Sequence, residues 1–230
     1  IRWEHPGKGL LQPGDFIAIA EESGLIIPIG EWVLQSACDM GADLVSKGKP
    51  ISIAVNISAK QLKHTDFYDS VVTCLESSGY PADLLELEIT ESCFLDDLDA
   101  VIVLIQRIRM LGVTISLDDF GTGFSSLNYL RQLPVDFLKI DQSFVQQITI
   151  DQQSQAIISF VINLAHELGI KVIAEGVETE EQLSFLINRK VNFIQGFLFY
   201  RPIPLDELMG CLSKIEDLCG ETLDFGGRSI

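Results

Sequence analysis

One pattern recurs along the chain: a short β-branched apolar run, a polar punctuation, then a longer stretch whose apolar residues fall at helical spacing. The strand-like runs are Ile51–Ile57, Leu85–Ile89, Val113–Leu117, Phe137–Ile140, Ile170–Ala174 and Asn192–Gln195. Between them lie helix-like stretches at Asp66–Ser77, Asp97–Leu111, Ser125–Gln132, Gln155–Leu168 and Glu180–Asn188. Two further helices, Pro13–Glu22 and Glu31–Ser46, are expected before the first strand, and Leu205–Leu218 after the last. Gly112 and Gly169 directly follow helical stretches, where a left-handed cap is wanted.

Apolar strands separated by single helices imply parallel pairing with both sheet faces covered, in an α/β barrel or an open doubly wound sheet. Nearly every strand run ends in a residue that an apolar core would not take: Asn56, Glu88 with Glu91, Asp118 with Asp119, Lys139 with Asp141, Glu175, and Gln195. In a barrel these ends converge on the face where barrel active sites sit, whereas an open sheet spreads them along a line. Only a possible fragment at Ile1–Trp3 adds to these strands, so a closed eight-stranded barrel would need material before Ile1. There is no Gly-x-Gly-x-x-Gly or Walker signature to favour a nucleotide fold.

Composition sharpens the picture further. A length of 230 residues with 47% hydrophobic content suits one large core. The formal charge of −17 argues against a broad basic surface, and so against a DNA or RNA polymer as partner. The longest apolar runs fall far below the roughly 18 residues of a membrane helix. The chain opens Ile1-Arg2-Trp3 with no targeting segment, and is read as beginning inside a longer polypeptide. Five cysteines (Cys38, Cys74, Cys93, Cys211, Cys219) without CxxC spacing favour reduced thiols in a cytosolic compartment over a disulfide framework or a zinc site.

On the barrel reading, Asn56, Glu88, Asp118, Asp119 and Glu175 make an oxygen-rich cluster. Two carboxylates at ~4 Å and an effective dielectric of ~20 repel by about 4 kcal/mol before screening, so a cation is the simplest relief. Oxygen ligands with one Asn and no His or Cys point to a hard ion such as Mg²⁺ or Mn²⁺. If the strand relaxes into a loop at Asp118-Asp119, both can face the site and bridge two ions, the arrangement used for phosphoester hydrolysis. Each residue alone has a plainer reading: Asp or Glu at a strand end is most often a cap or turn residue. Asp141 is a candidate cap for a helix beginning near Gln142, and Lys139 a surface lysine or a partner for these acids. His5, His64 and His166 are scattered and are read as structural or surface residues. The Gly-rich Phe120–Ser126 segment is a weak signal alone. Convergence favours function, since six strand ends would otherwise be polar for unrelated reasons.

These segments in their order resemble the EAL-domain family, the bacterial cyclic-di-GMP phosphodiesterases. Arg2-Trp3-Glu4-His5-Pro6 is similar to the stretch after the family's Glu-Ala-Leu signature, and Phe16-Ile17 through Gly24-Leu25-Ile26 to its next helix. Val55-Asn56-Ile57-Ser58-Ala59, Leu87-Glu88-Ile89-Thr90-Glu91 and Leu117-Asp118-Asp119-Phe120-Gly121-Thr122-Gly123 resemble the asparagine strand, the Glu-x-Thr-Glu strand and the double-aspartate loop. Lys139-Ile140-Asp141, Ala174-Glu175-Gly176-Val177-Glu178-Thr179 and Gln195-Gly196-Phe197 complete the series.

The resemblance implies a TIM-like (β/α)8 barrel with one antiparallel strand, N-terminally incomplete here because the signature glutamate would precede Ile1. It spans residues 1–218, leaving 219–230 as a C-terminal tail. It implies that Asn56, Glu88, Asp118, Asp119 and Glu175 hold two Mg²⁺ or Mn²⁺ ions and that Lys139 orients the attacking water. Glu175 is implied as general base, with Asp141 and Gln195 supporting the water and metal network. Arg2 would contact a substrate phosphate, Gln195 would lie beside the substrate, and Glu91 would anchor the double-aspartate loop. The function implied is metal-dependent hydrolysis of cyclic-di-GMP to linear 5'-pGpG; the alternative is a catalytically silent module acting as a cyclic-di-GMP receptor or protein-interaction domain. Further implications are a cytoplasmic homodimer pairing beside Phe124–Leu133 and upstream sensory or GGDEF/PAS-type domains.

Overall fold

The computed structural model describes residues 1–94, 97–121, 130–205, 207–208 and 210–212. Its centre is a six-stranded, wholly parallel sheet in sequence order, formed by β3 (Ile53–Ile57), β4 (Leu85–Thr90), β5 (Thr114–Phe120), β6 (Phe137–Ile140), β7 (Lys171–Ala174) and β8 (Phe193–Ile194). Helices follow the strands: α3 (Ala59–Leu62) and α4 (Phe67–Ser78) after β3, α5 (Leu98–Met110) after β4, α6 (Gln142–Gln147) and α7 (Gln152–Glu167) after β6, and α8 (Glu180–Asn188) after β7. Two helices, α1 (Pro13–Ser23) and α2 (Ile26–Ser46), precede the sheet. The expected segments Ser125–Gln132 and Leu205–Leu218, the Gly-rich stretch beyond Gly121, most of Phe124–Leu133 and the 219–230 tail lie wholly or largely outside the described residues.

Local chemistry explains the element ends. Pro13 opens α1, where its missing N–H costs nothing, and Gln12 with Asp15 forms a reciprocal capping box. Ser58 with Gln61 and Thr179 with Gln182 repeat that device at α3 and α8. Gly112 and Gly169 stand at φ 102° and 72° after their helices, as the capping expectation requires. The Ile1–Trp3 fragment is corrected: the strand β1 is Trp3–His5, and it pairs antiparallel with β2 (Gly9–Leu11) in a separate two-stranded sheet. A tight turn directs it there, with the Lys8 N–H donating to His5 O at 3.2 Å and the Gly7 N–H to His5 Nδ1 at 3.0 Å.

Period-two alternation then sorts the sheet's side chains into two faces. Val55, Ile57, Leu85, Leu87, Ile89, Ile115, Leu117, Leu138, Ile140 and Val172 are buried in one core with Leu34, Ile105, Ile108, Ile158 and Ile162 of the helices. Each such Leu or Ile contributes about 1.5–3 kcal/mol on burial. The opposite face carries Asn56, Glu86, Glu88, Thr114, Ser116, Asp118 and Lys139, so the helix-covered side supplies the stability and the other is released for polar chemistry. Among the described residues no helix is long and apolar enough to cross a membrane, and Cys38, Cys74, Cys93 and Cys211 are free thiols.

Tyr80 ties the start of the sheet together. Its ring is buried against Gly41 of α2, where any Cβ would overlap it, and its hydroxyl lies 2.6 Å from Ile51 O and 2.9 Å from Leu84 O, just ahead of β3 and β4. Tyr80→Phe keeps the ring and removes the hydroxyl donor that the two carbonyls share, so it is expected to lower stability by about 1–2 kcal/mol in urea unfolding, whereas Tyr200→Phe at an exposed position should leave the midpoint unchanged.

Candidate functional site

Lys139 occupies the middle of the polar face. It is only 3% exposed, and its ammonium lies 2.5 Å from Glu88 Oε1, 2.7 Å from Glu175 Oε1 and 3.4 Å from Asp118 Oδ1. These residues come from β6, β4, the end of β7 and β5, so parallel strands bring their C-terminal ends to one place. Asn56 joins through its amide, which donates from Nδ2 to Glu88 Oε2 at 2.8 Å. Burial alone would push the Lys139 pKa down; Glu88, then Glu175 and Asp118, outweigh it and the net shift is upward, so the side chain stays an ammonium.

The acids around it are under-neutralised. Burial, with Asp118 and Glu88 nearby, holds Glu175 above the usual carboxylate range although Lys139 opposes the shift. Asp119 is pushed up by burial and then by Asp118 and Asp141. Glu86, one alternation below Glu88 on the same face of β4, is raised by burial while the Ser116 hydroxyl donates to it and partly offsets the cost. Glu86 was absent from the sequence-based site. Its signal was present: Leu85, Leu87 and Ile89 alternate with Glu86, Glu88 and Thr90, which places all three polar residues on one face.

Adjacent Asp118 and Asp119 reach the site region by a different device from the expected loop. The strand β5 continues through Phe120, and its register against β6 slips, with Leu117 opposite Leu138 and Phe120 opposite Ile140. Two aspartates therefore stand where the partner strand has one residue, Lys139, and Asp119 absorbs the bulge at φ 55°, a conformation Asp tolerates better than most residues. Asp118 is buried, Asp119 is exposed, and the Asp119 N–H donates to Asp118 Oδ1 at 2.9 Å. Beyond the bulge, the Gly121 N–H donates to Glu91 Oε1 at 3.1 Å. At φ 100°, Gly121 sits where a Cβ would press on the Phe144 ring at 3.0 Å.

Glu175 is held from the other side. Gly196 crosses so close to Val177 that a Cβ would lie 2.0 Å from Val177 O, while the Val177 N–H donates to Gln195 O and the Leu198 N–H to Val177 O. This clasp fixes the segments that follow β7 and β8 against each other. The Gln195 side chain itself is exposed. Asp141 uses Oδ1 to accept from the backbone N–H of Ser143, at 3.0 Å, and from its hydroxyl, and so caps α6. Arg2 is exposed beside the β1–β2 hairpin and donates to Ile1 O at 3.1 Å. The structure thus gathers Asn56, Glu88, Asp118, Lys139 and Glu175 into one bonded cluster, sets Asp119 and Asp141 at its margin, and leaves Arg2 and Gln195 outside its hydrogen bonds.

The donor set is suited to a hard cation: one amide oxygen and several carboxylates, with a single buried ammonium as counter-charge. As they stand, the acids close on Lys139, and among the described residues no group of three or more His, Cys, Asp or Glu side chains is arranged as a ready metal cage. Entry of a cation would therefore require the carboxylates to share or exchange their contact with Lys139.

The family described as EAL domain matches residues 1–202. The bifunctional diguanylate cyclase/cyclic di-GMP phosphodiesterase MucR of Pseudomonas aeruginosa is 44% identical over 214 residues, 93% of this chain and 31% of that protein. The cyclic di-GMP phosphodiesterase PdeR of Escherichia coli is 40% identical over 204 residues, covering 89% of this chain and 31% of its own length. The chain thus spans about a third of these relatives. Among solved structures, the PaMucR phosphodiesterase in complex with c-di-GMP superposes with a TM-score of 0.86 at 45% identity, over 90% of this chain and 84% of that one. The FimX EAL domain from Pseudomonas aeruginosa, bound to c-di-GMP, gives 0.80 at 26% identity over 87% and 81%. The fold is accordingly the α/β, TIM-like barrel architecture of these neighbours, and the chain belongs to the EAL domain family.

Proposed function

We propose that the chain hydrolyses cyclic-di-GMP to linear 5'-pGpG with the help of Mg²⁺ or Mn²⁺, two ions at full occupancy. The observation that carries the reading is the set of buried Glu88 and Asp118 and half-buried Glu175 around one lysine, with Asn56 and Asp119 beside it. Asn56, Glu88, Asp118, Asp119 and Glu175 would hold the ions, whose chemistry is to neutralise the phosphodiester and make water a better nucleophile. Relatives named as cyclic di-GMP phosphodiesterases and a neighbour solved with c-di-GMP support the choice of substrate.

The chain's own groups divide the remaining work. Lys139, kept cationic by its three carboxylates, cannot take a proton; it orients water or a phosphate oxygen by donating hydrogen bonds. Glu175 is the better base, since an acid held above the usual range transfers protons closer to neutral pH. Asp141 acts from the margin by fixing α6 and adding charge near Asp119, while Arg2 and Gln195 are assigned to substrate contact. Homodimerisation and upstream sensory or GGDEF/PAS-type domains, in a cytoplasmic setting, belong to the same proposal; the greater length of the relatives supports the second.

A second reading, a cyclic-di-GMP receptor without turnover, is favoured by one observation: the acids are closed on Lys139. Product formation separates the two. With Mg²⁺ or Mn²⁺ the chain is expected to release pGpG, and EDTA, Glu88→Gln or Asp118→Asn to lower kcat by about a hundredfold or more while the fold survives by circular dichroism. Saturable c-di-GMP binding with no product at any metal concentration assigns the receptor role, and full activity in both variants sinks the metal-ligand assignment.

The raised acids also make stability a metal assay. An acid whose folded pKa lies above its unfolded value binds more protons when folded, so stability falls as pH rises between the two and the penalty persists above the folded value. In EDTA, urea midpoints should therefore fall as pH climbs from the ordinary carboxylate range through the elevated range of Glu86, Asp119 and Glu175. Mn²⁺ should recover that loss at neutral pH and do little at acid pH. An equal Mn²⁺ effect at both pH values would count against cation binding by these acids.

A further inference from the structure

The parallel sheet has a second end. Where β3 to β8 begin, opposite the acid cluster, lies a cavity of about 470 Å³, inside the roughly 300–1,000 Å³ range of small-molecule sites. Its aromatic side is made by Phe137 and Phe193, whose rings meet edge to face at 5.6 Å. The Lys171 ammonium stands 5.6 Å and 6.0 Å from those ring centroids.

The charges around this cavity run against the rest of the molecule. In a chain of net charge −17, it is lined by Arg109, Arg131 and Lys171 against Asp83 and Asp136. Asp136 is fully engaged: it accepts from Arg109 Nη2 at 2.6 Å, from Arg109 Nε at 3.2 Å and from the Ile115 N–H at 2.9 Å. Arg131 and Lys171 have no ion-pair partner among the described residues, so two cations face the cavity unneutralised. A guanidinium fork and an ammonium lining one cavity suit the oxygens of a phosphate, and the phenyl rings offer an apolar surface to whatever the phosphate is attached to.

We propose that this cavity is a second binding site, for a small phosphate monoester carrying an aromatic or apolar group, held by Arg131 and Lys171 over Phe137 and Phe193. It is separate from the acid cluster: Phe137 and Lys139 share a face of β6 two residues apart, about 7 Å along the strand. Asp83 limits the affinity by facing the same space.

Phenyl phosphate and inorganic phosphate, titrated into the ¹⁵N-labelled chain in EDTA, test the site. Phenyl phosphate should move the amides of Gly169, Lys171 and Phe193 saturably, and bind more tightly than inorganic phosphate. The exposed pair Arg131→Ala with Lys171→Ala should weaken it about tenfold or more, the worth of one charge-assisted contact, and Asp83→Asn should tighten it. Shifts centred on Asp118, Lys139 and Glu175, equal affinity in the double variant, or no saturable shift would each overturn the proposal.

Discussion

The structure turns on one buried ammonium. Lys139 draws Glu88, Asp118 and Glu175 from three other strands to within ion-pair distance of a single atom. Removing such a cation would leave buried carboxylates facing one another, a change that typically costs about 3–5 kcal/mol for a broken buried pair. The desolvation of these charges yields no net stability by itself. It is carried by the apolar face of the same strands, where Leu85, Leu87, Leu117 and Leu138 are packed beneath the helices. Stability and chemistry are thus separated by strand alternation, and a one-residue slip in any strand would exchange them.

That constraint explains the single register fault in the described sheet. Two aspartates and one lysine must meet at neighbouring strand ends, but a regular ladder would turn Asp119 toward the helices. The bulge between Leu117 and Phe120 adds the extra residue without shifting the hydrophobic register on either side. Glu91 and Phe144 then bracket Gly121, so the segment leaving the bulge departs in a set direction. Across the sheet, the contact of Gly196 with Val177 performs the same service for Glu175.

Much of this was legible in the chain because it depends on periodicity. The six strands, the boundaries of α8 at Glu180–Asn188 and the polar character of the strand ends follow from alternation and capping chemistry. The helix α7 starts at Gln152, ahead of the Gln155 that apolar spacing marks, because its cap Asp151 precedes the first apolar residues. What was not legible depends on pairing. The bulge needs the partner strand's register, and the hairpin at Trp3–His5 needs the Gly7–Gly9 turn to be recognised as joining two very short strands. Glu86 is not marked as a site residue by the sequence because it lies mid-strand, where a charged residue reads as solvent-facing until the partner hydroxyl of Ser116 is known. Asp141 carries both of its sequence-based readings: the cap geometry is plain, and its charge still reaches Asp119.

The same strand directionality governs the distribution of charge. A net −17 disfavours any phosphate, yet the acids of the cluster are concentrated at the C-terminal strand ends around one ammonium. Cations held there, as the proposed function requires, would reverse the sign of the local field, so an acidic chain would present a positive surface to a phosphodiester without a basic groove. The N-terminal strand ends carry the opposite arrangement, with Arg131 and Lys171 without an ion-pair partner among the described residues and Asp136 already committed to Arg109 and the backbone. Parallel strands make this polarity possible, because each delivers its first and last residues to opposite ends of the sheet. An antiparallel sheet of the same composition would mix the two sets and neutralise both.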